Sequence, residues 1–239
     1  MCLYECNYRV LISDIDNREK LRLSSLLNYF QDVATLDSEV SGGSVALLRS
    51  RNIAWFVSDM ETELYEELFF NDVLTVCTWA NDYKGVICKR HYQALKNGKV
   101  VANSYANWFM VDLLTRKPIK TPEDIKNMYS FNENNILPTN KKKIQIPFGE
   151  PILQKRFPVF LRDTDRNSHM NNTVYVAIAA DCLFEINSDY VLRNFRIQYK
   201  KEIKAGDLFE AKVFEISETE FVIVFENAGE ISVLIEMKI

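Results

Sequence analysis

The stretch RFPVFLRDTDRNSHMNNTVYVAIA, residues 156–179, decides the fold because it repeats the plan of NYRVLISDIDNREKLRLSSLLNYF, residues 7–30. Both stretches run from an apolar strand through an Asp-x-Asp turn into an apolar helix. Residues 149 positions apart correspond, so that Asp16 matches Asp165. The shared order of the matches favours an internal duplication. A chance alignment of two amphipathic patterns is the alternative.

The two copies differ in the polar residues of the turn. The first copy has Arg18 and Lys20 where the second has Asn167 and His169. Further on, residues 135 positions apart correspond, which places Glu67 opposite Glu202. The first copy therefore lacks the uncharged polar pair.

The polar turn of the second copy admits two interpretations. Asp165, Asn167 and His169 alternate, so an extended segment would direct them to one side. A helix beginning near Asn171 would direct its free backbone N–H groups towards them. Such groups suit a hydrolytic site. The alternative is a solvated turn that only caps a buried helix, and the local sequence leaves both interpretations open.

Each copy reads as a strand, one long helix and then several strands. In the first copy, Ser24 or Ser25 is expected to cap a helix that Gly42-Gly43 ends, and strands follow near 52–65, 72–81, 85–96 and 100–113. In the second copy, a helix near 172–184 is apolar almost all round, and strands follow near 191–203, 207–217, 220–227 and 230–239. A polar connection with little apolar periodicity lies between them, at roughly 121–150.

Composition narrows the class of protein. The chain is 47% hydrophobic and 26% charged, which supports packed domains, and its net charge of −4 provides no general attraction to nucleic acid. No leader or membrane span is apparent, so we expect a cytoplasmic protein. Five scattered cysteines indicate reduced thiols. With two histidines and no glycine-rich phosphate loop, we expect neither a metal nor another cofactor. One of these histidines, His91, lies in an alternating strand and is expected to be structural.

The chain resembles the bacterial and plant acyl-acyl carrier protein thioesterases over nearly its whole length. The clearest element is D-x-D-x-N-x-H-x-N-N-x-x-Y, which begins at Asp163 and ends at Tyr175. It is supported by a Y-x-x-E pattern at Tyr199 to Glu202, and by LLNYFQDVATLDSE, IAWFVSDM and WFMVDLLTRKPIKTP in the first half. Plant members carry a cysteine after the glutamate, whereas this chain has Ile203. A cysteine nucleophile at that position is therefore excluded.

The resemblance implies an α+β protein of two tandem hotdog domains, each an antiparallel sheet wrapped around a central helix. We expect an N-terminal acyl-binding domain at 1–130, a linker at 131–150 and a C-terminal catalytic domain at 151–239. The implied reaction is hydrolysis of a fatty acyl thioester on the phosphopantetheine arm of acyl carrier protein. An acyl-CoA thioesterase and a non-catalytic acyl-binding protein are the alternatives. Either a monomer or a homodimer fits a tandem fusion, and the acyl chain length stays open.

The resemblance also suggests roles for four residues. Glu202 and His169 would activate and position water, with Glu202 as base or, less favoured, as nucleophile. Asn167 would donate to water or to the carbonyl, Asp165 would fix the Asn and His side chains, and helix N–H groups would bind the oxyanion. Two basic groups are candidates for docking the acidic carrier: Arg193, Arg196, Lys200 and Lys201, or Arg116, Lys117 and Lys120.

Overall fold

The computed structural model describes residues 3–138 and 142–239, which form two compact units. One unit comprises residues 3–21 and 26–138, and the other comprises residues 22–25 and 142–239. The division between the two larger segments falls inside the linker expected at 131–150.

The first unit contains an antiparallel sheet and one long helix. Its elements are the strands Tyr4–Arg9 (β1), Ile53–Leu64 (β2), Val73–Lys84 (β3), Ile87–Lys96 (β4), Lys99–Asp112 (β5) and Lys117–Ile119 (β6), and the helices Leu23–Val40 (α1), Val45–Ser50 (α2) and Glu123–Lys126 (α3). Helix α1 belongs to this unit from residue 26 onwards. The strand order is β1-β3-β4-β5-β2, and β6 pairs with β5. Asn97 and Gly98 join β4 to β5, and both have positive φ angles, 52° and 76°, as a tight two-residue hairpin requires.

The second unit repeats this plan. Its elements are the strands Leu153–Pro158 (β7), Asn194–Tyr199 (β8), Leu208–Ser217 (β9), Glu220–Asn227 (β10) and Glu230–Lys238 (β11), and the helix Asn172–Ile186 (α4). The strand order is β7-β9-β10-β11-β8. Within each unit, corresponding strands hold the same places in the order, so the duplication inferred from the sequence is confirmed.

The long helix of each unit packs on its own sheet through aromatic contacts. In the first unit, the rings of Phe30 and Tyr92 are stacked with centroids 5.2 Å apart. In the second unit, Tyr175 meets Phe225 edge-on at 5.3 Å. Most of the buried residues of α4 lie along one face of the helix, and Phe184 on the other side is 40% exposed, so the burial on most sides expected from its apolar sequence is wrong. Both units therefore have the predicted hotdog core of a helix against an antiparallel sheet.

Three local predictions differ from the structure. Helix α1 begins at Leu23, so Ser24 and Ser25 lie in its first turn and neither is its cap. Strand β8 is shorter than the predicted 191–203, because the chain leaves the sheet to form the loop that carries Glu202. The connection is not wholly polar surface, since Leu137 and Ile144 are buried. In the described ranges, no helix combines the length and apolarity needed to cross a membrane.

Candidate active site

The segment from Asp165 to His169 is a tight turn rather than the extended segment expected from its alternation. The Asp165 N–H donates to the carbonyl of His169 at 2.8 Å, and the Ser168 N–H donates to the carbonyl of Asp165 at 3.0 Å. Ser168 has a φ of +63°, a left-handed conformation that is uncommon for a residue other than glycine and that the closed turn requires here. The extended segment expected from the alternation is therefore wrong.

The carboxylate of Asp165 holds the turn closed. It accepts hydrogen bonds from the N–H groups of Asn167 at 2.8 Å and His169 at 3.2 Å, and from Asn167 Nδ2 at 3.1 Å. Asp165 therefore orients the side chain of Asn167 as expected. It binds the main chain of His169, however, and not the ring as predicted.

The ring of His169 is held by Glu202. The distance between His169 Nε2 and Glu202 Oε2 is 3.0 Å, and His169 is only 9% exposed. Two main-chain contacts bring these residues together: the Met170 N–H donates to the carbonyl of Ile203 at 2.7 Å, and His169 forms an isolated antiparallel bridge with Lys204. The apolar side chain of Ile203 is fully buried and anchors the loop that carries Glu202.

The start of α4 supplies fewer free N–H groups than predicted. Asn171 caps the helix, with its Oδ1 accepting from the Thr173 N–H at 3.1 Å and from the Thr173 hydroxyl at 3.2 Å. The Val174 N–H donates to the carbonyl of Asn171 at 3.0 Å. In the first turn of α4, the Asn172 N–H is the group that has no hydrogen-bond partner among the residues described. It is therefore the main-chain donor available to an oxyanion.

Two tyrosines of the sequence motifs, Tyr175 and Tyr199, pack against each other. Tyr175 is buried, and its ring meets that of Tyr199 edge-on at 6.1 Å. Burial raises the pKa of Tyr175, and the charges of Glu202 and Asp165 raise it further against a main-chain hydrogen bond from Ile203. Tyr175 is therefore a neutral hydroxyl at any physiological pH.

The first unit contains the same turn with different chemistry. Asp16 and Lys20 repeat the main-chain bond at 2.8 Å, and Glu19 has the left-handed φ of +60°. Arg18 Nη2 lies 2.7 Å from the carboxylate of Asp16, and Lys20 Nζ lies 2.6 Å from Glu67 Oε1. Two ion pairs thus stand where the second unit has an Asn–Asp hydrogen bond and a His–Glu contact.

We did not predict these ion pairs from the sequence. The alignment of the copies nevertheless indicates one of them, because Lys20 corresponds to His169 and Glu67 corresponds to Glu202. Burial by itself would raise the pKa of Asp16, but hydrogen bonds from the side chain and N–H of Arg18 and from the N–H of Lys20 lower it below the usual value. A lysine and an arginine remain protonated near neutral pH, so neither can serve as a general base there. Of the two turns, the second therefore carries the Asp, Asn and His side chains that are expected to take part in hydrolysis.

The other histidine is buried, and the cysteines that the structure describes are free thiols. His91 is fully buried in the first unit and stacks on Trp79 with ring centroids 5.5 Å apart. Burial raises the pKa of the Cys182 thiol to about 11. Cys6, Cys77 and Cys88 are likewise free thiols, and Cys2 lies outside the described residues. Across residues 3–138 and 142–239, no group of three or more His, Cys, Asp or Glu side chains is arranged to hold a metal ion.

Each half of the chain matches a domain of one known protein family. Residues 2–129 match the acyl-ACP thioesterase N-terminal domain, and residues 149–238 match the acyl-ACP thioesterase C-terminal domain. The chain belongs to the acyl-ACP thioesterase family. The polar turn and Glu202 lie in the half that matches the C-terminal domain.

The similar curated proteins are plant enzymes. Oleoyl-acyl carrier protein thioesterase 1, chloroplastic, of Arabidopsis thaliana is 22% identical over 238 residues, covering 90% of this chain and 64% of the relative. Palmitoyl-acyl carrier protein thioesterase, chloroplastic, of Gossypium hirsutum is 21% identical over 215 residues, covering 84% of this chain and 52% of the relative. The chain thus spans between about half and two thirds of the length of these relatives.

Solved structures share the fold over almost the entire chain. An acyl-ACP thioesterase from Bacteroides thetaiotaomicron matches with a TM-score of 0.88 at 22% identity, covering 98% of this chain and 96% of that one. The 12:0-ACP thioesterase from Umbellularia californica matches with a TM-score of 0.88 at 14% identity and the same coverage. At these identities the likeness establishes the tandem hotdog fold.

Proposed function

We propose that this protein hydrolyses fatty acyl thioesters of acyl carrier protein to free fatty acid and the carrier thiol. The observation that carries the proposal is the 3.0 Å contact between His169 Nε2 and Glu202 Oε2, made from the same turn in which Asp165 orients the Asn167 amide. A helix cap requires neither the imidazole nor the distant carboxylate. The duplicated turn supports this view, because the first unit forms the same backbone with Lys20 and Glu67 instead.

The arrangement can supply both requirements of thioester hydrolysis. Water needs a base, and the tetrahedral oxyanion needs hydrogen-bond donors that are already in place. In the proposed reaction, Glu202 and His169 share the proton taken from water as its oxygen attacks the carbonyl carbon. Asn167 and the Asn172 N–H stabilise the oxyanion, which then collapses and expels the thiolate. The His169–Glu202 pair returns the proton to the sulfur.

We also propose that the first unit binds the acyl chain. The support is an apolar cluster between its helices and its sheet, composed of Leu48, Ile53, Ala80, Cys88, Met110, Ile125 and Tyr129. Partly buried Trp55, Tyr83 and Trp108 pack against this cluster. The charged pairs that replace the hydrolytic groups in the first unit are consistent with a binding role for it.

The test measures release of carrier thiol from acyl carrier protein thioesters of increasing chain length. We expect His169→Ala and Glu202→Gln to lower kcat/KM by about 100-fold or more, the scale of general acid–base catalysis. The matched controls are Lys20→Ala and Glu67→Gln, which change the corresponding positions of the first unit. Both controls are expected to retain turnover. Circular dichroism establishes that each variant is folded.

The alternatives make different predictions. An acyl-CoA thioesterase would show a higher kcat/KM on acyl-CoA than on the matched carrier thioester. A non-catalytic acyl-binding protein would bind acyl groups saturably without releasing thiol from any of them. Equal loss of activity in the second-unit variants and in their first-unit controls would contradict the assignment of hydrolysis to the second unit.

A further inference from the structure

Five positively charged residues lie within the polar turn of the second unit, in a main-chain bridge to it, or next to the site residues in sequence. Arg166 lies within the turn between Asp165 and Asn167, and Lys204 forms the main-chain bridge with His169. Three more cations adjoin the site residues in sequence. The five, which we name the basic rim, are Arg162, Arg166, Lys200, Lys201 and Lys204.

The residues of the basic rim are exposed at the surface. The side chain of Arg162 is 76% exposed and lies over the ring of Phe160, 4.4 Å from its centroid. Lys201 pairs with Glu230, and Arg162 Nε lies 3.8 Å from the Asp163 carboxylate, so neighbouring acids offset part of the charge of both cations. This concentration of positive charge occurs on a chain whose net charge is −4, so it does not follow from a generally basic composition.

The first unit provides an internal comparison, because it builds the same loops from the same hydrogen bonds. The Phe69 N–H donates to Asp72 at 2.9 Å, as the Lys204 N–H donates to Asp207 at 2.9 Å. Yet none of the first-unit positions that correspond to the basic rim is a cation. They are Ser13, Asn17, Tyr65, Glu66 and Phe69. The fold therefore does not require the basic rim.

The neighbouring apolar residues do not distinguish the two units. Phe160 and Leu161 are exposed beside the second turn, and Leu11 and Ile12 are exposed at the corresponding positions of the first. These residues belong to the turn that both units share. What is particular to the surface beside His169 and Glu202 is its charge.

We propose that the basic rim is the docking surface for an acidic carrier protein, which presents its acyl thioester to the His169–Glu202 pair. The proposal rests on the proposed function and adds the surface that recognises the partner. Each exposed ion pair contributes little by itself, but several cations on one surface together accelerate encounter with an acidic protein. The first-unit group Arg116, Lys117 and Lys120, the alternative from the sequence, is distant from the polar turn in sequence. We therefore do not propose it as the docking surface. Arg196, another candidate, is buried against Glu236 and is unavailable to a partner.

The decisive variant is the double charge reversal K200E/K204E, and its matched control is K117E/K120E, which makes the same change of net charge in the first unit. Each protein is assayed on an acyl carrier protein thioester and on the N-acetylcysteamine thioester of the same fatty acid. The second substrate carries the acyl group without the carrier. A third substrate, the matching acyl-CoA, carries phosphates without the carrier protein.

We expect K200E/K204E to raise KM for the carrier substrate by about 10-fold or more at low salt and to leave kcat/KM for the N-acetylcysteamine thioester within about 2-fold. Raising NaCl from about 50 to about 500 mM should reduce the advantage of the wild type. The control K117E/K120E should behave as the wild type does.

Three results would overturn the proposal. One is an equal loss on the carrier and N-acetylcysteamine substrates, which would mean damage to the site. Another is an equal rise in KM for acyl-CoA, which would mean recognition of phosphate. The third is an effect confined to K117E/K120E. Binding of a fluorescently labelled carrier protein, measured by anisotropy, separates this proposal from the proposed function. Carrier binding that K200E/K204E weakens, together with no hydrolysis by the wild type, would support the docking surface and reject the activity.

Discussion

Replacing Asp165 by Asn separates the structural task of this side chain from its task in the site. The carboxylate accepts three hydrogen bonds, two from main-chain N–H groups and one from Asn167 Nδ2. An asparagine can keep its oxygen towards the two N–H groups. Its amide nitrogen would then face Asn167 Nδ2, so two donors would oppose each other. The amide of Asn167 can relieve this only by flipping, which exchanges its donor and acceptor.

The loss of stability and the loss of activity caused by Asp165→Asn can be estimated separately. A hydrogen bond to a charged group contributes roughly 1.5–3 kcal/mol and a neutral one roughly 0.5–1.5 kcal/mol. Weakening two bonds and losing the third should cost about 2 kcal/mol of unfolding free energy, since Asp165 is half-buried and water offsets part of the loss. Misorientation of Asn167 should lower kcat/KM by about 100-fold.

The matched control is Asp16→Asn, which makes the same change in the duplicated turn of the first unit. It should cost a similar free energy of unfolding, because Asp16 accepts the corresponding bonds from Arg18 and Lys20. Its thioester hydrolysis should stay within about 2-fold of the wild type, because no hydrolytic group depends on this turn. Urea denaturation and kcat/KM are measured on both variants. The reasoning is refuted if folded Asp165→Asn retains wild-type kcat/KM, or if Asp16→Asn loses as much activity.

Further predictions concern stability, labelling and thiol reactivity. Burial, aided by the charge of Lys89 and opposed by Asn135, lowers the pKa of His91 to about 4 from an unfolded value near 6.5. Between these values the unfolded chain binds more protons, so this residue should reduce stability by up to roughly 3 kcal/mol as pH falls from 6.5 to 4. His91→Gln should flatten the dependence of Tm on pH over that window, and an unchanged dependence would contradict the assignment. Asn171→Ala removes the acceptor for the Thr173 N–H and should cost about 1 kcal/mol in urea denaturation, whereas Asn171→Asp, which keeps an acceptor, should retain most of the stability. A single turnover in oxygen-18 water should leave Glu202 unlabelled by peptide mass spectrometry if it acts as a base, and label in Glu202 would establish an anhydride. Cys182, whose pKa is raised to about 11, should react with iodoacetamide at pH 8 far more slowly than free cysteine, and rapid labelling in the folded protein would contradict its burial.

The sequence alone determined the order of the elements and the duplication. Alternation, helical periodicity and turn residues act over a few positions, so each copy could be divided into strand, helix and strands before any contact was known. The same local patterns located the polar turn and, through the alignment of the copies, matched Glu202 with Glu67. The resemblance to a family added the hotdog arrangement and the reaction.

The details of the site were beyond such reasoning. The alternation of Asp165, Asn167 and His169 predicted an extended segment, but one carboxylate gathers three N–H groups into a turn. A carboxylate that accepts hydrogen bonds from nearby main-chain N–H groups favours a turn over an extended backbone. The alternation of polar residues in the sequence does not reveal this preference. The Thr173 N–H at the start of α4 is occupied for the same kind of reason, by the side chain of Asn171.

Contacts between residues distant in sequence were decided by the tertiary structure alone. His169 and Glu202 meet because Met170 bonds to Ile203 and because the buried Ile203 anchors its loop. The equivalent backbone in the first unit instead brings together Lys20 and Glu67 as an ion pair. The sequence could name these side chains, but a distance of 3 Å is set by sheet pairing and burial, which depend on the whole packed unit.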